Sequence, residues 1–178
     1  TVAAERGPVR DDRSLTFNAD AAFDEVRTPD LIVVPGGLVT RRMARDGHPL
    51  IDWIAAVHPT TTWTTSVCTG AILLGAAGLL DGLEATTHWI AYEQLVEFGA
   101  IPTSRRVVQE GKIVTAAGVS SGIDMALSVT GLEFGADVAR AVQLGIEYDP
   151  QPPFDAGHPA RVSDAVMERV VTYAAEKS

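Results

Sequence analysis

Residues 62–67, Thr-Trp-Thr-Thr-Ser-Val, are rich in β-branched and aromatic side chains, and residues 70–80 consist of Gly, Ala, Ile and Leu. A strand-forming run that passes almost directly into a helix-forming one restricts the chain to folds in which strands and helices alternate. Cys68 stands at the changeover. A residue on such a sharp turn projects its side chain away from the backbone, with the unpaired N–H groups of the new helix beneath it. Those dipoles are expected to favour the thiolate and to make Cys68 a nucleophile; the alternative reading is that Cys68 is a small buried apolar residue, as most free cysteines are. Gly70, Gly75 and Gly78 carry a second expectation. Glycine weakens a helix, so three in one short stretch point to close packing against neighbouring backbone.

A chain of 178 residues with 46% hydrophobic content has enough apolar mass for a core and is expected to form a single domain over residues 1–178. One cysteine excludes an intrachain disulfide, and no apolar run reaches the length of a membrane span or a signal peptide, so a cytoplasmic protein without membrane contact is expected. The formal charge of −9 would repel phosphate, and Arg41-Arg42 is an isolated basic pair, so nucleic acid is not an expected partner. The lone cysteine and scattered histidines lack metal-ligand spacing, and no phosphate-binding glycine loop is present.

The run Leu31-Ile32-Val33-Val34 lies between Pro29-Asp30 and Pro35-Gly36-Gly37, as expected of a central parallel strand buried on both faces. Paired glycines after it leave backbone N–H groups free of side-chain cover, or simply make a tight turn. Pro49 opens a helix through Val57, and Leu83 to Thr87 reads as a short strand. Ile90 to Phe98 reads as a helix, and Arg106–Gln109 and Lys112–Ala116 as a hairpin turning at Glu110-Gly111. Helices are expected over 121–134, 136–147 and 161–176, with an ordered proline-rich loop at 149–159. Ser121 with Asp124 fits a capping pair, a structural role for that carboxylate. Strands alternating with helices give a three-layer α/β sandwich around a mostly parallel sheet, with its ligand site beyond the carboxyl ends of the strands, where Gly36-Gly37 and Cys68 both fall. His48, His58 and His158 precede prolines and read as boundary residues; His88 follows a strand expected to run parallel to the one delivering Cys68, so it either reaches the same pocket or is a satisfied, partly buried side chain.

Four motifs taken together, V-P-G-G at Val34–Gly37, S-V-C-T-G-A at Ser66–Ala71, T-T-H-W at Thr86–Trp89 and S-G-I-D at Ser121–Asp124, resemble the ThiJ/PfpI superfamily. The stretch from Glu147 to Pro159 resembles its isocyanide hydratase branch. This resemblance implies a flavodoxin-like, class I glutamine amidotransferase-like sandwich, a homodimer with the site near the interface, and Cys68 as nucleophile with Thr69 bonding at the reacting centre. Thr69 occupies the place where the peptidase-like branch carries histidine, which removes the adjacent base of a Cys-His peptidase. It further implies a backbone anion hole from Gly36, Gly37 and the elbow, and hydration of an isocyanide to an N-formamide through a thioimidate, with no cofactor. His88, Trp89, Val119 and Ser120 are expected to line the pocket. Other superfamily readings are a glyoxalase-type hydratase and a ligand- or redox-sensing effector module of a transcription regulator. In the family a strand, a loop with an acidic residue and a helix, about 30 residues by the usual size of such a unit, precede the region where Thr1 stands. The expectation is therefore that the sequence is incomplete or that another polypeptide supplies the first strand and the acid. Residues 1–178 alone are expected to aggregate or to be inactive.

Overall fold

The structure is a computed structural model that describes residues 1–10 and 15–176. In chain order its elements are β1 (Val2–Ala3), β2 (Gly7–Arg10), β3 (Thr16–Ala19), β4 (Ala21–Ala22), β5 (Leu31–Val34), α1 (Thr40–Asp46), α2 (Pro49–Val57), β6 (Trp63–Val67) and α3 (Gly70–Ala76). There follow β7 (Glu84–Ala85), α4 (Tyr92–Glu97), β8 (Ile101–Pro102), β9 (Val107–Glu110), β10 (Ile113–Ala116), α5 (Ser121–Phe134), α6 (Ala136–Gly145) and α7 (Asp164–Glu176). Contacts gather into two compact units, Thr1–Met125 and Ala126 onward.

The first unit is built on a four-stranded sheet in the order β5-β6-β10-β9. β5 pairs in parallel with β6 (Leu31 beside Trp63, Val34 beside Ser66), and β6 in parallel with β10 (Val67 beside Ala116). β9 and β10 form the hairpin expected around Glu110-Gly111. Parallel strands joined through helices make this an α/β sandwich sheet, as the alternation in the sequence requires. β2 and β3 pair antiparallel, while β1–β4 and β7–β8 are two-residue parallel pairs.

One core packs the α1–α3 side of the sheet. Ile32 and Val34 of β5 meet Ile51, Ile54 and Val57 of α2, Leu73 and Leu74 of α3, and Leu95 of α4. Burying side chains of this size stabilises by about 1.5–3 kcal/mol each relative to leaving them exposed. The hydrophobic period of α2 and its opening proline appear as the sequence predicts, with Ile51, Ile54 and Val57 on the buried face.

The expectation for β5 is corrected. Leu31 and Val33 are 45% and 52% exposed, because β5 stands at the margin of this sheet and the core covers only the Ile32 and Val34 face. The expected strand 83–87 shrinks to β7 and pairs with β8 instead of joining the sheet of β6. Its last two residues are drawn elsewhere: the Thr86 N–H donates to Thr115 Oγ1 and Thr87 Oγ1 donates to the Cys68 carbonyl. α3 ends at Ala76, before a left-handed Gly78, instead of running to Leu80.

In the second unit, α6 stops at Gly145 ahead of a left-handed Glu147, and α7 begins at Asp164 because residues 159–161 form a separate 3-10 turn. Val138 and Val142 on α6, and Val166, Val170 and Tyr173 on α7, are exposed at helical spacing. Among the described residues no helix is long and apolar enough to cross a membrane.

Candidate active site at the Cys68 elbow

Cys68 has φ = 58°, a left-handed backbone that non-glycine residues adopt rarely and at a cost of about 1–3 kcal/mol. Such a conformation persists only where the surroundings hold it, and the contacts that do so can be named. The Cys68 N–H donates to the carbonyls of Ala116 (3.0 Å) and Ala117 (2.8 Å), at the end of β10. The Cys68 carbonyl accepts from Thr87 Oγ1 at 2.8 Å. The elbow is thus fixed on both sides of the thiol-bearing carbon.

The turn after β5 packs directly against this elbow. A Cβ at Gly36 would lie 2.7 Å from the Thr69 nitrogen and 2.8 Å from Cys68 Cβ, so only glycine fits. A Cβ at Gly70 would lie 2.2 Å from the Val34 carbonyl oxygen, because the first turn of α3 rests on the end of β5. The glycine-rich helix therefore packs on backbone at Gly70, on the Phe98 side chain at Gly75, and uses Gly78 to leave the helix. Thr69, 8% exposed, accepts from the Gly37 N–H through Oγ1 (2.9 Å) and donates to the Gly37 carbonyl (3.0 Å). Gly37 N–H is accordingly engaged by Thr69 and does not stand open toward a ligand.

The charge state of the thiol corrects the sequence expectation. Burial pushes the Cys68 pKa up, and this outweighs the opposing pull of the Thr69 N–H and hydroxyl. Desolvation disfavours the thiolate more than the hydrogen bonds of Thr69 favour it. Because a raised pKa means a smaller thiolate fraction at every pH, iodoacetamide should alkylate folded Cys68 with a midpoint above 9.0 and above that of the denatured chain. A midpoint below the denatured value would restore the activated-thiolate reading.

His88 comes to this region from the other side. Its ring lies against Gly118, where a Cβ would be 3.3 Å from His88 Cδ2, and Gly118 directly follows the Ala117 carbonyl that holds Cys68. Nδ1 of His88 accepts from the Ile90 N–H, which places the proton of the neutral ring on Nε2. Burial, and then Arg41, lower its pKa and keep the ring neutral. Trp89 stacks obliquely on His88, with centroids 5.6 Å apart. Val119 is 80% exposed, and Ser120 is engaged by Arg106, whose Nη2 donates to its Oγ at 3.2 Å. Cys68, Thr69, Gly36 and Gly37 therefore form one cluster with His88 beside it, while Val119 faces outward. Sequence reasoning overlooked Thr87 and Arg106; Thr87 lies within the quoted T-T-H-W motif, and its place directly ahead of His88 is the one signal that could have flagged it.

Fold and elbow together define an α/β protein whose single cysteine sits on a strained strand-to-helix turn. The DJ-1/PfpI family matches residues 1–131, and the chain belongs to that family. Isonitrile hydratase of Pseudomonas putida is 41% identical over 161 residues, 90% of this chain and 70% of that protein. A crystal structure of a ThiJ/PfpI family protein from Pseudomonas syringae superposes with a TM-score of 0.91 at 37% identity, covering 98% of this chain and 73% of the other. The HTH-type transcriptional regulator CdhR of Pseudomonas aeruginosa is 27% identical over 79% of this chain, which spans 42% of the regulator.

Proposed function

We propose that this protein is a cytoplasmic isocyanide hydratase that uses Cys68 as a covalent nucleophile. The observation that carries the reading is the held, left-handed Cys68 with Thr69 beside it, in a chain 41% identical to an isonitrile hydratase. The raised thiol pKa suits this reaction. The terminal carbon of an isocyanide must gain both a nucleophile and a proton, and a thiol kept protonated by burial brings both to one site. The sulfur bonds to that carbon, the thiol proton ends on the same carbon, and a C=N thioimidate results. Water adds to the thioimidate carbon while nitrogen takes up a proton. The tetrahedral species then expels the Cys68 sulfur, which regains a proton as the N-formamide leaves. The sum is one isocyanide and one water to one formamide, with no cofactor.

Thr69 fixes the elbow through Gly37, and its N–H, which acts on the Cys68 sulfur, is the donor placed to steady charge at the reacting centre. Gly36 contributes its missing side chain, which lets the turn close on the cysteine. His88 and Trp89 form the flank of the substrate pocket. The exposed valines of α6 and α7 support a homodimer.

The test is formamide production from an alkyl isocyanide by the full-length protein. Thr69→Val, which keeps the shape and removes the hydroxyl, should lower kcat by about 10- to 100-fold with the fold intact. Absence of turnover by a folded wild-type protein would overturn the hydratase reading. The similarity to CdhR makes an effector domain the second reading, and ligand binding without turnover would favour it.

A further inference from the structure

We infer that Arg106 is a positioning residue for Cys68, acting through the 117–120 loop, which it grips at both ends. Cys68 depends on neighbours for its left-handed backbone, and one of the two carbonyls holding its N–H is that of Ala117, the first residue of this loop. The loop in turn depends on Arg106. The Arg106 carbonyl accepts the Ala117 N–H at 2.9 Å, because the β9–β10 ladder brings the start of β9 beside the end of β10. Its guanidinium reaches the far end of the loop, where Nη2 donates to Ser120 Oγ and Nε pairs with the Asp124 carboxylate in the first turn of α5. The His88 ring closes on the loop at Gly118.

A loop held at its start by backbone and at its end by a forked cation has little freedom to withdraw the Ala117 carbonyl. Asp124 orients Arg106, and Ser120 transmits the hold. Arginine suits the task because its planar fork can bond two acceptors at once, which lysine cannot do. The pair is partly open to water, with 51% and 30% of the Arg106 and Asp124 side chains exposed, so a moderate effect is expected.

The effect on turnover rests on the hydratase reading, whereas the effect on the thiol does not. The experiment measures the pH profile of Cys68 alkylation by iodoacetamide, and kcat and KM with an alkyl isocyanide, for full-length wild type, Arg106→Ala, Arg106→Lys and Asp124→Asn. All are assayed where circular dichroism shows the native fold. Releasing the loop lets water reach the elbow, so Arg106→Ala should alkylate about two- to fivefold faster with a lowered midpoint, while kcat falls by a similar factor and KM holds. Faster alkylation with slower catalysis separates a loosened elbow from a merely weakened fold. Arg106→Lys and Asp124→Asn should lie between wild type and Arg106→Ala, and they decide the matter should the alanine variant not fold. Unchanged alkylation profiles and unchanged kcat in folded variants would overturn the assignment. Should wild type hydrate no isocyanide, the functional reading falls, and the alkylation profiles alone still decide for or against Arg106.

Discussion

Replacing Cys68 with alanine should reduce formamide production from an alkyl isocyanide by at least about 10³-fold, since the sequence carries no second thiol. The fold should survive. Alanine meets the same left-handed backbone and keeps the two bonds from the residue-68 N–H, so the strain at the elbow is little altered. Intact-mass measurement during turnover should show a thioimidate adduct on wild type that the variant lacks. Normal turnover by Cys68→Ala would end the covalent mechanism and leave general acid-base hydration by other groups. This measurement also separates the two readings of family membership, because a sensing domain would bind ligand equally well with or without the covalent step.

Gly70→Ala is the variant expected to damage the fold most. Its Cβ would stand 2.2 Å from the Val34 carbonyl oxygen and 2.9 Å from the Val34 carbonyl carbon, and both belong to a backbone fixed by pairing with β6. Nothing there can rotate away. The helix must lift off the strand or β5 must shift, and a loss of about 3 kcal/mol or more is expected, with a fall in Tm on the order of 10 °C. Gly75→Ala is the internal comparison, because its Cβ would meet the Phe98 side chain at 2.9 Å, and a side chain can move more readily than a strand. Thermal unfolding of the two variants checks the ordering. A Gly70→Ala protein within about 2 °C of wild type would mean that α3 does not rest on β5 as described.

Much of the first unit was legible because its local signals agree with its tertiary fate. The β-branched run 63–67, the opening Pro49 and the Glu110-Gly111 turn each specify an element that packing then confirms. The elbow could be placed for the same reason. The charge on the thiol could not, because a helix terminus is visible in sequence while the depth of burial is set by residues far along the chain. Four apolar residues in a row likewise cannot tell how many neighbours a strand has, which is why Leu31 and Val33 were expected inside and lie open. Thr87 acts on Cys68 across 19 residues and Arg106 reaches Ser120 of the supporting loop across 14, and periodicity carries no such information. The shortening of the expected strand at 83–87 has the same origin, in bonds that Thr86 and Thr87 make to residues distant in sequence.

The imidazoles have a shared habit. His48, His88 and His158 each accept, through Nδ1, the N–H of the residue two places on, and each stands just before a helical turn. An acceptor of this kind exists only while the ring nitrogen keeps its lone pair. At His88, acidification therefore acts as a solvent-borne competitor for the helix start, replacing an internal fastening with a second N–H that repels the one it faced. At His88 the neutral ring is favoured by burial and by Arg41, so this fastening is fully present above the ordinary value of 6.5 and is lost only as pH falls through a lower one. The flank of the cysteine site thereby keeps its helix start through mild acid, and a compartment or buffer of that kind leaves this fastening in place.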